Sequence, residues 1–210
     1  APVSVIVVNY NKEQYSRLCL GSILASRSLP AQIICVDNGS ADGTGEYLAG
    51  EFSAAAREKG IDAVVVHNKQ NAGACTARNQ AMKIATQPLI AFCDNDLAVR
   101  SSNWLTPMQE VLGQADNNGI VGPKLLFPFE PYNIECAGVA LSKTGGVQYR
   151  GRGLAKDTPE FLKPVEVQCL TSACWLMKRE VYEQIGGLDE VFNPAQFEDY
   201  DFCYRARQAG

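Results

Sequence analysis

Short runs of apolar, largely β-branched residues each stop at a polar turn and give way to apolar residues at helical spacing, and this rhythm leaves few folds open. Val3 to Val8 is the first run. Asn9 to Asn11 breaks it, and Tyr15, Leu18, Cys19 and Ile23 then recur on one predicted helix face. Ile33 to Val36 is the second run, ending in Asp37-Asn38-Gly39-Ser40, with a helix predicted from about Asp42 through Lys59. Ala63 to Val66 precedes a predicted helix from about Ala74 to Ala85, and Pro88 to Cys93 adds a fourth strand. Near-continuous apolar strands alternating with amphipathic helices predict an α/β fold with a mostly parallel central sheet and helices on both faces.

After Asn103 the pattern is mixed. It predicts a helix near Thr106 to Ala115, short strands near Ile120 and at Ala137 to Leu141, and an irregular stretch to about Pro164. A strand from Cys169 to Met177, a helix at Glu180 to Ile185 and a last helix from about Glu198 follow. At 210 residues the chain fits one domain, and its ends read as those of a domain cut from a longer protein.

Several ligand classes are disfavoured at once. A net charge of -4 argues against a nucleic-acid partner. No G-x-G-x-x-G follows the first strand, no G-x-x-x-x-G-K-[ST] occurs, and no G-x-S-x-G elbow is present. The single histidine, His67, reads as a strand-end residue. The eight cysteines are scattered without a C-x-x-C pair, several inside apolar runs, which predicts free thiols in a reducing, cytoplasmic compartment.

Ligands of open parallel sheets bind outside the carboxyl ends of the strands, so the loops after Val8, Val36, His67 and Cys93 carry the candidates. Asp94-Asn95-Asp96 places two carboxylates on one side of an extended segment, as a divalent-ion site or simply as a turn. Asp37-Asn38-Gly39-Ser40 offers hydrogen bonds to a nucleoside, or an Asx turn and helix cap. Asn71-Ala72-Gly73 opens a helix whose first N–H groups suit an anion, with Arg78 one turn on as a partner or as a solvated helix residue. Phe197-Glu198-Asp199-Tyr200-Asp201 reads as a helix start with an Asp201–Arg205 pair, and equally as the seat of a carboxylate base. Lys143 to Pro164, with Gly145, Gly146, Gly151, Gly153, Arg150, Arg152 and Lys156, has the composition of a lid or of a surface loop.

Taken in order, Val8-Asn9-Tyr10-Asn11, Val36 through Thr44, Asn71-Ala72-Gly73 through Ala77-Arg78-Asn79, Asp94-Asn95-Asp96 and Phe197 through Asp201 resemble the inverting GT-A glycosyltransferases called family two, which include bacterial polysaccharide and rhamnosyl transferases. The resemblance implies a GT-A fold, with 1–100 as the nucleotide-binding half and 101–210 as the acceptor and catalytic half. It implies Asn9, Tyr10 and Asp37 around the base and ribose, Asp94 near the ribose, and Asn71, Gly73 and Arg78 toward the diphosphate. Asp96 would hold Mn²⁺ or Mg²⁺, Asp199 would be the general base with Glu198 beside it, and Trp175 would line the sugar and acceptor pocket or serve as a core aromatic. The implied donor is a UDP- or dTDP-sugar and the acceptor a glycan or lipid-linked hydroxyl. The implied setting is the cytoplasm, with peripheral association at the inner membrane face through segments outside this stretch. Two other readings stay open: a sugar-nucleotide nucleotidyltransferase, and a non-catalytic nucleotide-sugar-binding module.

Overall fold

The computed structural model describes residues 1–210. In chain order the elements are β1 (Val3–Asn9), α1 (Glu13–Leu24), β2 (Gln32–Asp37), α2 (Thr44–Tyr47), a π-helical turn (Leu48–Phe52), α3 (Ser53–Glu58), β3 (Asp62–His67), α4 (Ala74–Ile84), β4 (Leu89–Cys93) and α5 (Leu105–Leu112). The second half adds β5 (Ile120–Val121), β6 (Leu125–Leu126), β7 (Ile134–Cys136), β8 (Val139–Leu141), β9 (Val147–Tyr149), β10 (Cys174–Lys178), α6 (Arg179–Ile185) and α7 (Glu198–Ala209).

The main sheet runs β3-β2-β1-β4-β10-β5. Its first four strands are mutually parallel, and β10 is antiparallel to both β4 and β5. Successive strand side chains point to opposite faces, so β1 serves two cores. Val3, Val5 and Val7 pack with α1, α3 and α5, while Ile6 packs with α4, Trp175 of β10 and Phe202 of α7. β1, β2 and β4 are apolar in both directions because helices cover both faces.

Three sequence expectations need correction. Tyr15 and Leu18 do not face the core; they are 44% and 57% exposed. Left-handed Asn11 and Lys12 set the phase of α1, so Ser16, Cys19, Leu20, Ile23 and Leu24 meet the sheet instead. The strand expected from Cys169 begins at Cys174, because Cys169 leaves the main sheet to bridge Val139. Lys143 to Pro164 is not a free loop along its length: β9 pairs with β8, Ala137 N–H donates to the Arg150 carbonyl, and Gly153 N–H donates to that of Ile134.

All eight cysteines are free and buried. No helix is long and apolar enough to cross a membrane.

Candidate functional site

The loops after β1, β2 and β3 are tied to one another before any ligand is considered. Asn11 N–H donates to Ser40 Oγ at 2.8 Å, and Asn11 Oδ1 accepts from Ala41 N–H at 2.8 Å. Asn38, 2% exposed, is the hub. Its Nδ2 donates to Asn71 Oδ1 at 2.9 Å, and its Oδ1 accepts from Ala72 N–H and Asn68 Nδ2, each at 3.0 Å. Removing that side chain leaves buried donors without acceptors. Asn38→Ala is therefore expected to destabilise the fold by about 1–3 kcal/mol, measured by urea denaturation, with the slope unchanged.

Part of the expected nucleotide set is bonded within the protein itself. Asn9 is wholly buried and its Nδ2 donates to the Val7 carbonyl at 3.0 Å, which ties its side chain to the sheet end. Asn71 closes its own turn by accepting from Gly73 N–H at 2.9 Å. The start of α4 is not open to an anion as expected. Ala74 N–H donates to the Pro194 carbonyl at 2.8 Å and Cys75 N–H to Asn193 Oδ1 at 3.1 Å. Gly73 keeps its place for packing: at φ 88°, a Cβ there would lie 2.2 Å from Asn193 Oδ1.

Tyr10 is 48% exposed and free to meet a planar ligand. Asp37, at the end of β2, is buried; its Oδ1 accepts from Ser40 N–H at 3.0 Å, and its Oδ2 lies 3.1 Å from His67 Nδ1. From sequence His67 is only a strand-end residue. Only the parallel register that pairs Asp37 with His67 brings them together.

A cavity of about 460 Å³ opens beyond the carboxyl end of β4, lined by Arg78, Asp94, Tyr149, Ser172 and the stretch Gln196 to Tyr200. Arg78 is not a solvated helix residue. It is 6% exposed, with Nη2 2.6 Å from Asp94 Oδ1 and Nη1 2.9 Å from both Glu198 Oε1 and Ser172 Oγ. Its charge is met by protein carboxylates at the cavity wall. Desolvation works against the guanidinium, but Asp94 and Glu198 outweigh it and hold the group above its usual value. Desolvation pushes the Asp94 carboxyl up to about 6 against the pull of Arg78.

Asp199 is 8% exposed at the first turn of α7, and its Oδ2 accepts from Ser172 N–H at 3.1 Å. Burial pushes this carboxyl above the ordinary carboxylate range. Glu198 beside it is 5% exposed, and its Oε2 is buried without any hydrogen-bond partner. The segment after β4 is a turn, with Leu97 N–H donating to the Asp94 carbonyl, rather than the extended stretch expected: Asn95 donates to Ser16 Oγ at 3.2 Å on α1, Asp94 turns to Arg78, and Asp96 is exposed. No group of three or more His, Cys, Asp or Glu side chains is placed to hold a metal ion. Trp175, the candidate pocket residue, is 0% exposed between Phe92 and Phe202, with centroids 5.3 and 5.6 Å away. It is a core aromatic.

The cavity therefore joins Arg78, Asp94, Glu198 and Asp199 but not Asn9, Tyr10, Asp37, Asn71, Gly73, Asp96 or Trp175. Tyr10 and Asp37 lie at the neighbouring strand ends, and Asp96 lies two residues past Asp94.

Known proteins resemble this chain in sequence and in fold. A low-salt glycan biosynthesis hexosyltransferase, Agl10, of Haloferax volcanii is 26% identical over 221 residues, covering 98% of this chain and 62% of that protein. The chain spans between 9% and 62% of the length of three curated relatives it matches. Among solved structures, GalNAc-T7 with UDP, GalNAc and Mn²⁺ superposes with a TM-score of 0.75 at 16% identity, covering 100% of this chain and 40% of that one. The mannosyltransferase PcManGT of Pyrobaculum calidifontis, in complex with GDP-Man and Mn²⁺, gives 0.69 at 18%, covering 97% and 51%. At such identities the likeness is one of fold, the α/β GT-A fold with its mostly parallel sheet. The profile of glycosyl transferase family 2 matches residues 4–186, and the chain belongs to that family.

Proposed function

We propose that this domain transfers a sugar from a nucleoside-diphosphate sugar to an acceptor hydroxyl with inversion of the anomeric centre, in cell-surface polysaccharide or glycoconjugate synthesis. The observation that carries the reading is the cavity that joins the buried carboxylate of Asp199 to Asp94 at the sheet's carboxyl edge. A base with a raised pKa, held by Ser172 N–H, can take the acceptor's proton as that oxygen attacks the anomeric carbon in one displacement. Arg78 keeps Glu198 and Asp94 in place.

Carboxylates suit a hard divalent ion, and Asp96, two residues past Asp94, would hold Mn²⁺ or Mg²⁺ together with diphosphate oxygens. Such an ion neutralises charge on the leaving nucleoside diphosphate. Tyr10 and Asp37 would meet the base and ribose, and a UDP- or dTDP-hexose is the donor we favour, with a glycan or lipid-linked acceptor. Solved relatives of this fold carry UDP or GDP-Man with Mn²⁺, which supports the donor class. Eight free, buried cysteines support a reducing, cytoplasmic setting.

Incubation of the protein with UDP-hexose, Mn²⁺ and an acceptor, followed by NMR of the product anomer, tests the reading. An inverted product supports it, and a retained configuration refutes the single displacement. Nucleoside diphosphate at 100-fold above Kd should add about 2.7 kcal/mol of stability. Asp96→Ala is expected to abolish the Mn²⁺-dependent part of that thermal shift; an unaltered shift would place the ion elsewhere.

A further inference from the structure

Phe197 occupies a position that its structure does not justify. It precedes the first turn of α7, where Ser, Thr, Asp or Asn would cap the helix, and it makes no capping bond. Its φ is 69° and that of Gln196 is 92°, two successive left-handed residues, neither of them glycine. Bulky residues adopt that conformation only when the surroundings impose it, and such outliers gather at ligand clamps. Packing offers little in return, because Phe197 is 50% exposed and touches Tyr200 only edge-on, with centroids 5.9 Å apart at 72°. The backbone thus turns one flat apolar face to the mouth of the cavity, with Tyr149, 41% exposed, also on its lining.

A second observation comes from inside the same cavity. Glu198, 5% exposed, lines that cavity, and its Oε2 has no protein donor, so it is an acceptor still open to a hydroxyl. A flat hydrocarbon face beside an unpartnered carboxylate oxygen matches a molecule with C–H groups on one side and hydroxyls at its edge. An alkyl chain would leave Glu198 Oε2 unsatisfied, and an open-chain polyol offers no flat face. We propose that the acceptor is a pyranose ring, that Phe197 is the platform on which it stacks, and that Glu198 Oε2 accepts one of its hydroxyls. The inference rests on the transferase reading and adds to it the chemical class of the acceptor. It puts the acceptor on the Asp199 side, two residues from the base, where an incoming hydroxyl has to arrive.

The test is saturation-transfer NMR on the intact protein loaded with UDP and Mn²⁺, titrated with methyl glucopyranoside, methyl mannopyranoside, methyl galactopyranoside and ribitol. At least one pyranoside should receive saturation at its ring C–H protons, and ribitol none. Phe197→Ala and Phe197→Leu should weaken that pyranoside roughly fivefold to tenfold, the scale of one aromatic contact, while Phe197→Tyr retains it. Phe197→Gly relieves the left-handed backbone, so it should raise the melting temperature yet lose the pyranoside signal. A purely structural Phe197 would show the reverse, a lower melting temperature with the signal intact, and would overturn the proposal. So would a silent pyranoside panel in the UDP-loaded protein, or a ribitol signal equal to that of the pyranosides. UDP signals in the same samples report on the transferase reading separately: their absence sinks that reading, whereas bound UDP with a pyranoside signal indifferent to Phe197 sinks only the platform.

Discussion

Asp199→Asn is expected to leave binding of nucleoside diphosphate and Mn²⁺ nearly unchanged while sugar transfer falls by about 10² to 10⁴, or roughly 3 to 5 kcal/mol of barrier. The amide keeps an oxygen for Ser172 N–H, so the site stays assembled and only the proton acceptor is lost. Burial gives the carboxyl a raised pKa, which fixes the direction of the pH response. The base works deprotonated, so kcat/KM should rise with pH through an apparent value above the ordinary carboxylate range and fall as pH drops below it. Stability has the opposite sign. A carboxyl raised in the fold contributes most below its unfolded value and loses that contribution as pH rises through the folded value. Asp201→Asn is the control: Asp201 Oδ2 meets Arg205 Nε at 2.7 Å, a partly exposed i,i+4 pair worth a few tenths of a kcal/mol. Full activity in Asp199→Asn together with a dead Asp201→Asn would move the base by two residues.

The second large effect belongs to Arg78. Its guanidinium bridges Asp94, at the end of β4, to Glu198, at the start of α7, and so pins the two halves of the chain across the cavity. Arg78→Met would leave Glu198 buried with no partner on either oxygen, and Asp94 half-screened without its cation. Breaking one side of a buried pair costs about 3–5 kcal/mol, which for a chain of this size lowers the melting temperature by roughly 6 to 20 °C. Arg78→Lys keeps the charge but cannot span both acids and Ser172 Oγ at once, so it should fall between the two. Melting curves of the three proteins at neutral pH decide this. A Met variant that melts with the parent would show that solvent, not Arg78, compensates the acids.

Much of the first half was legible before any coordinates. The runs at Val3, Ile33, Ala63 and Pro88 became four parallel strands, because a strand covered on both faces has to be apolar on both. In the second half β6, β7 and β9 went unread. They are two or three residues long, too short for an alternation of period two to show, although each pairs locally, β6 with β7 and β8 with β9.

Periodicity also failed at α1. Tyr15 and Leu18 fit a helical stripe on paper, but the left-handed pair at Asn11 and Lys12 rotated the helix until Ser16, a small polar residue, faced the sheet. Cys169 failed as a strand start for a related reason, since its nearest bridge lies across the second half at Val139.

By itself, then, the sequence determined the layer order, the polar loops at the carboxyl edge, the acidic pair after β4 and the carboxylates opening α7, since each depends on residue type and near-neighbour spacing. The tertiary structure alone decided who pairs with whom. It gave Arg78 to Asp94 and Glu198, placed His67 against Asp37, filled the start of α4 with Asn193 and Pro194, and sealed Trp175 into the core. Those contacts join residues separated by 16 to 120 positions, and whether a charge meets protein or ligand depends on the desolvated partner that folding brings beside it.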